Sequence, residues 1–393
     1  MKLTADRVQL FNAVKTALKA TGSRKDMPAL SGLLFEVDAH TGMITVTGTD
    51  THTQIQCRLR NEHVLEGGSL VVKPVIAEML KLLPDETVEM DAGLGNMLEL
   101  SSGQCRYSVP FLDARNFPKT QIPFPEDFIC IRGINSIIRR TIIATEAKSQ
   151  EAHRQSLQFV KLSFADGQTT AEATNGQIAA LAQTPHGSDG KLDMILHEAA
   201  LGTLASVVSP DEELYVGVAG NFAVFMKEDL IFSAQLYRGD YIEGSKLLNY
   251  VKPVFKATTD AKALYELAGN VSSIFGAGDD TCINLCITAD SVVMRTKTAL
   301  GASQSKVQAT ETVPTDADGF NYQAKWLLSC LRQTAGPLVL ALDQRGYMLI
   351  EANQSKYCVG PRRPVKIVQP EPKKEKKTRS RTARSKAAAS VAA

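Results

Sequence analysis

The chain has 393 residues, 44% of them hydrophobic, enough for roughly two to four domains with packed cores. No apolar run is long enough to span a membrane and no apolar signal segment opens the chain, so a cytoplasmic protein with no membrane partner is the expectation. The formal charge of +2 is uneven: from Glu371 onward eight Lys and Arg face two Glu, a local +6 that leaves an acidic body of −4 ahead of a basic tail.

Residues 7–20 predict an amphipathic helix, with Leu10, Phe11, Val14, Ala17 and Leu18 on its apolar face and Asn12, Lys15 and Lys19 opposite. A loop over 22–28, carrying Arg24 and Lys25, leads to strand-like runs at 33–37 and 44–50, with a turn near Gly42. A second helix spans about 74–83, with Pro74 suited to its first turn. Its inward side is read as Val75, Ile76, Met79, Leu80 and Leu83, with Lys73 and Lys81 elsewhere. Short strands at 88–90, 98–100 and 106–109 precede a linker at 118–125 with three prolines.

The pattern then restarts. Ile134, Ile137, Ile138, Thr141, Ile142 and Thr145 mark one stripe of a helix, with Arg139 and Arg140 off it. Over 157–181 the strand signal is at its clearest. Val160, Leu162 and Phe164 alternate with polar residues, Asp166-Gly167 is a hairpin turn signal, and Asn175-Gly176 breaks the second strand before a third. A weaker helix at 197–208 and strands at 214–218, 223–226 and 231–236 follow. The third copy has a helix near 260–271, strands at 283–287 and 292–294, and a helix at 323–332 with Lys325 and Arg332 on one face. Strands at 338–342, 347–351 and 356–359 close it. Copies spaced by roughly 120 residues predict an α+β fold of three modules, each reading helix, strands, helix, strands, hence six half-repeats. The expected divisions are 1–125, 126–252 and 253–368, with 369–393 a tail too poor in apolar residues to order itself.

Chemistry-bearing motifs are sparse. The seven cysteines (57, 105, 130, 282, 286, 330 and 358) contain no CxxC, and Cys282 and Cys286 lie in a strand pattern without a nearby His, so reduced core thiols are expected and no metal site. Gly276-Ala277-Gly278 lacks the Gly-Lys-Ser/Thr ending of a phosphate loop and reads as a turn, as does Asp279-Asp280. No nucleophile–base–orienter set stands at readable spacing, so no catalytic residue and no cofactor are assigned and a scaffold is favoured over an enzyme.

Several segments, in order and spacing, carry a resemblance. They are the opening Met-Lys-Leu-Thr, Pro-Ala-Leu-Ser-Gly-Leu-Leu-Phe at 28–35, Thr-Val-Thr-Gly-Thr-Asp at 45–50, and Arg-Tyr-Ser-Val at 106–109 followed by Asn-Phe-Pro at 116–118. Ala-Thr-Asn-Gly at 173–176, Phe320-Asn321 and Tyr-Cys-Val-Gly-Pro at 357–361 complete the set. From Met1 to about Pro364 the chain resembles a divergent bacterial sliding clamp, the beta subunit of the replicative DNA polymerase III, here with an added basic tail.

The resemblance implies a ring-shaped, head-to-tail homodimer of six domains, with helices lining a hole for duplex DNA and sheets forming the wall. Its other partners would be the replicative polymerase and an ATP-dependent clamp loader. Lys15, Lys19, Lys73, Lys81, Arg139, Arg140, Lys325 and Arg332 then become phosphate contacts, joined by Arg24 and Lys25 at the ring face; each also reads as part of an ordinary solvated face. A groove for a short apolar partner peptide would be lined by Leu157, Thr174, Gly176, Gln177, Ile178, Ile242, Leu247, Trp326, Tyr347, Val359 and Pro361. It departs from the family pattern, with Thr-Asn-Gly-Gln-Ile at 174–178 where Thr-Asp-Gly-His-Arg is common, and Gly-Pro-Arg at 360–362 in place of Met-Pro-Met. The dimer joint would use Tyr107 and Val109 on one side and Ile274 and Phe275 on the other. The rivals are a monomeric three-module scaffold that grips DNA with its tail, and a nucleic-acid enzyme whose site is assembled in space.

Overall fold

In the computed structural model, which describes residues 1–93, 95–146, 152–188, 190–276, 281–316 and 318–362, the chain repeats one unit six times. The unit is a lead strand, a helix and three antiparallel strands. The first is Lys2–Asp6, helix α1 (Arg7–Ala17), then Leu33–Asp38, Met43–Thr49 and Thr53–Arg60. The second is Gly68–Val72, α2 (Val75–Leu82), then Thr87–Ala92, Met97–Ser102 and Cys105–Asp113. The third is Ile129–Arg132, α3 (Ile134–Thr141), then Phe159–Ala165, Gln168–Thr174 and Ile178–Pro185. The fourth is Leu192–His197, α4 (Glu198–Val207), then Glu213–Ala219, Phe222–Lys227 and Leu230–Gln235. A short connecting helix, α5 (Gly244–Tyr250), comes next. The fifth unit is Phe255–Asp260, α6 (Ala261–Ser272), then Cys282–Ile287, Ser291–Thr298 and Gly301–Gln308. The sixth is Phe320–Gln323, α7 (Ala324–Leu331), then Pro337–Leu342, Met348–Ala352 and Ser355–Val359.

The lead strands and α5 correct the sequence reading, which began each half-repeat at its helix. Lead strands are four to six residues long, too short for alternation to stand out. In the first, fourth and fifth units the last residue also caps the helix that follows. Asp6 accepts from the Gln9 amide at 2.7 Å, and Asp260, at the same place in the fifth unit, accepts from the Ala263 amide at 2.9 Å. Where Gly133 precedes α3, φ of +78° makes the turn without a side-chain cap. Val75, read as inward, is 45% exposed; Ile76 and Leu80 carry the buried face of α2.

Burial follows the alternation expected for 157–181. Val160, Leu162 and Phe164 are buried in the principal core, and Asp166 and Gly167 take φ of +51° and +71° at the hairpin turn. Residues 117–128 and 251–254, where the module divisions were expected, hold neither helix nor strand. The first of these segments is nonetheless pinned. Thr120 exchanges hydrogen bonds with the Gln54 amide at 3.1 and 3.2 Å, and Lys119 lies 2.6 Å from Glu36.

The sheets run through the module boundaries. Leu230–Gln235 pairs antiparallel with Thr53–Arg60, making a sheet of 13 strands. Ile178–Pro185 pairs antiparallel with Ser355–Val359, making one of nine. In both seams the third strand of one unit meets the third strand of another. The same rule leaves two third strands over: Cys105–Asp113 and Gly301–Gln308. Helices pack in pairs on the sheets, α1 with α2, α3 with α4 and α6 with α7.

All seven cysteines are free thiols. Burial pushes Cys57 and Cys358 up to about 12 and raises the fully buried Cys330 further. Alkylation of the native protein at pH 8, followed by mass spectrometry, is expected to label the half-exposed Cys105, Cys130 and Cys282 before the four buried thiols. Cys57, Cys330 and Cys358 should react only after unfolding; early labelling of any of the three would contradict the packing described.

Candidate nucleic-acid interface and docking surface

The ten cations expected at DNA are all carried by helices or by loops beside them, but they differ in what they hold. Among the described residues, the side chains of Lys15, Lys25, Lys73, Lys81 and Arg332 are exposed and make no hydrogen bond or ion pair. Arg24 lies 3.3 Å from Asp26, both exposed, which adds little stability. Lys325 sits 4.6 Å over the Trp326 ring. Lys19, Arg139 and Arg140 are engaged with other parts of the fold. Lys19 Nζ donates to the Ser206 carbonyl at 2.7 Å. Arg139 donates to Asn135 Oδ1 at 2.7 Å and to the Ala205 carbonyl at 3.0 Å, bracing α3 against α4. Arg140 donates to the Asn353 carbonyl at 2.9 Å. The polar helix faces that carry these residues are legible in the sequence; their carbonyl partners are not. Asn135, buried on α3 and donating to the carbonyls of Ala205 and Val208, leaves no sequence signal, because one Asn in an apolar stripe looks like noise.

The two leftover third strands are open edges among the described residues. Gly301–Gln308 ends the four-stranded sheet, bonded to Ser291–Thr298 on one side only, and none of its residues is buried. Cys105–Asp113 bonds to Met97–Ser102 through Pro110, and its other edge meets Gly68–Val72 only at 111–113. Tyr107 is half-buried on that strand, whereas Val109 points into its own module's core at 3% exposure, so only its backbone reaches the edge. Ile274 and Phe275 follow the end of α6, half-buried, with the Ile274 carbonyl accepting from Thr298.

The eleven groove candidates are divided by strand alternation. Ile178 and Val359 are directly opposite each other across the second seam, and both lie in the principal core at 1% exposure. Leu157 and Thr174 are buried too. On the other face of that seam a separate apolar cluster forms: Ala179, Leu248, Val251, Ala341, Leu349 and Cys358, with Leu247 and Tyr347 at its margin. Ile242 is half-exposed beside it in sequence, while Gly176 and Gln177 are exposed and Trp326 and Pro361 partly so. The small cluster is roofed by α5. The buried Glu172 carboxylate accepts from the Ser245 amide at 2.9 Å, and the Tyr241 hydroxyl donates to the Glu172 carbonyl at 2.7 Å. Gly244 allows the close approach, since a Cβ there would stand 2.7 Å from the Ala173 carbonyl oxygen. At the margin Arg345 donates from two guanidinium nitrogens to Asp343 Oδ2 and lies 4.4 Å over the Tyr250 ring and 5.2 Å over Tyr347.

A family model for the DNA polymerase III beta subunit, N-terminal domain, matches residues 1–121. The chain is 26% identical over 310 residues to the beta sliding clamp of Halalkalibacterium halodurans, spanning 75% of this chain and 80% of that protein. It is 24% identical over 263 residues to the beta sliding clamp of Bacillus subtilis, spanning 63% and 68%. The chain is thus similar to beta sliding clamps over most of its length. Two solved clamp structures have the same fold. The DNA polymerase sliding clamp from Bacillus subtilis superposes with a TM-score of 0.83 at 19% identity, and the DNA polymerase III beta subunit from Thermotoga maritima with 0.82 at 18%; each comparison covers 93% of this chain and 100% of that one.

Two of the groove candidates, Ile178 and Val359, face the core of this clamp fold rather than a surface. Ala179 and Cys358 are the paired residues that face the outer cluster, one position along from Ile178 and Val359. Successive side chains on a strand point to opposite faces, so an offset of one moves a residue from a surface into a core. Tyr250 and Arg345, also missed, carry no motif; only the packing of α5 against the turn at 343–347 brings them together. Among the described residues, no group of three His, Cys, Asp or Glu is placed to hold a metal, and no helix is long and apolar enough to cross a membrane. Asp279-Asp280, most of the Gly276–Gly278 turn and the basic tail lie outside the described residues.

Proposed function

We propose that two chains close head to tail into a ring around duplex DNA and act as a non-catalytic processivity factor in the cytoplasm. The observation that carries this reading is the seam rule. Both internal seams join third strands, and the two third strands without partners stand in the second and fifth units. Joining the second unit of one chain to the fifth of another, twice, completes six equivalent contacts between third strands. The helix-borne cations, Lys15, Lys73, Lys81 and Arg332 foremost, would then meet phosphates without reading sequence. An ATP-dependent loader would open the ring. The replicative polymerase would dock through an apolar peptide beside α5, on the accessible margin of the cluster at Ile242, Leu247 and Tyr347. Binding would be topological: a closed ring slides freely yet stays on its track.

The test combines mass with topology. Light scattering at micromolar concentration should give two chains. After loading, the protein should be retained on circular DNA and lost on linearisation, with polymerase extending further on primed templates. A single-chain mass, or equal retention on both DNA forms, would sink the ring and leave the monomeric scaffold. The tail adds a second arm. A chain ending at Val368 should show a shallower salt dependence, because each phosphate contact contributes about −0.9 to the slope of log affinity against log salt. An unchanged slope would leave the tail a solubilising appendage.

A further inference from the structure

Lys19 and Arg140 each cross a module seam. Lys19, in the single 3-10 turn that follows α1, donates to the carbonyl of Ser206 in the last turn of α4 at 2.7 Å. Arg140, in the last turn of α3, donates to the Asn353 carbonyl at 2.9 Å and approaches Ser355 Oγ at 3.4 Å, at the turn between the last two strands of the sixth unit. Their acceptors are backbone carbonyls, so the two cations reach across without pairing with an acid. Arg139 has no such reach; both its acceptors lie within its own module. At the first seam the layer beneath the sheet is not packed solid. A cleft of about 490 Å³ opens there, lined by Asn12, Thr16, Arg58, Val207, Lys227 and Asp229. The Lys19 bond ties the end of α1 to the end of α4 beside that cleft. Burial at the seam and the neighbouring Lys15 both lower the Lys19 pKa, as expected for an ammonium partly withdrawn from water. The equivalent helix beside the open edge strand Gly301–Gln308 is α6. Its one cation is Lys262, in its first turn, 3.9 Å from Glu266 on the same helix.

We propose that Lys19 and Arg140 are positioning residues that latch the two internal seams of the chain, and that the helix beside the open edge carries no counterpart. Resting on the ring reading, this favours opening at the joint between chains, where α6 offers no cation equivalent to Lys19 or Arg140. The latch itself is independent of DNA and of oligomeric state.

The experiment is amide hydrogen exchange on the free full-length protein. Lys19→Met and Arg140→Met keep much of the aliphatic stem and delete the donor. Exchange should rise roughly ten-fold at 53–57 and 230–234 in the first variant, and at 178–182 and 355–359 in the second, the expected size for one lost charge-assisted bond. Strand Phe159–Ala165, inside one module, should stay unchanged in both. Lys15→Met, which removes an exposed cation of the same helix, should disturb neither seam. Unchanged seam exchange in both variants, or a rise spread evenly over the whole chain, would overturn the proposal. Failure of the ring would show instead in the mass, and the two results can be read apart.

Discussion

Tyr107→Glu is expected to leave the protein as single chains in solution and to abolish its retention on circular DNA. Tyr107 lies on Cys105–Asp113 opposite Leu100, half-buried, on the strand whose outer edge is open over 105–110. In the proposed ring that edge receives the Gly301–Gln308 strand of a second chain. A carboxylate set there must be desolvated without a partner, which costs several kcal/mol and raises the dimer dissociation constant at least about 100-fold. Within its own chain the side chain has room to turn to solvent, so circular dichroism and thermal stability should change little. Light scattering is the direct check. A variant that keeps the two-chain mass at micromolar concentration would show that this edge is not the joint.

Gly48→Ala is expected to cost the first module about 3 kcal/mol, a large effect for one methyl group. Gly48 lies on Met43–Thr49, beneath the end of α1. A Cβ there would stand 2.0 Å from the Ala17 carbonyl oxygen and 2.8 Å from its carbon. Both are backbone atoms, which cannot rotate away, so α1 must lift from the sheet. That helix buries Leu10, Val14 and Ala17 in the principal core and carries Lys15 with Lys19 just beyond. Loss of stability and displacement of two cations should therefore appear together. Exchange should accelerate across 33–60 and the first module should melt earlier, as a separate step if the modules uncouple. A melting curve superimposable on the parent's would show that the helix has slack the structure does not reveal.

The two substitutions also mark how far the residues could be read in one dimension. Helix α1 and the hairpin at 166–167 were legible because periodicity and turn chemistry are local: Leu10, Val14 and Ala17 recur on one helical face, and Asp166-Gly167 supplies two positive φ values. Gly48 gave no comparable signal, since its need for a bare Cα arises from Ala17, far off in the chain. The cation-bearing faces were legible in the same local way, but not the carbonyls that Lys19 and Arg140 hold, 187 and 213 residues distant. Among the groove candidates the strands are legible but not the side that Ile178 and Val359 face, because Ile178 and Ala179 are equally apolar in type and only the layer packed on each side of the strand separates them.

What the amino-acid order determined by itself is the repeated unit, its helices and most of its strands, because those depend on contacts between near neighbours and recur wherever the pattern recurs. What only the tertiary structure decided is which third strands meet at the seams, which two are left with open edges, and which face of each strand is roofed by a helix. Backbone hydrogen bonds between strands carry no residue code, so six similar edges offer many equivalent pairings, and the choice among them is made by the packing of whole modules.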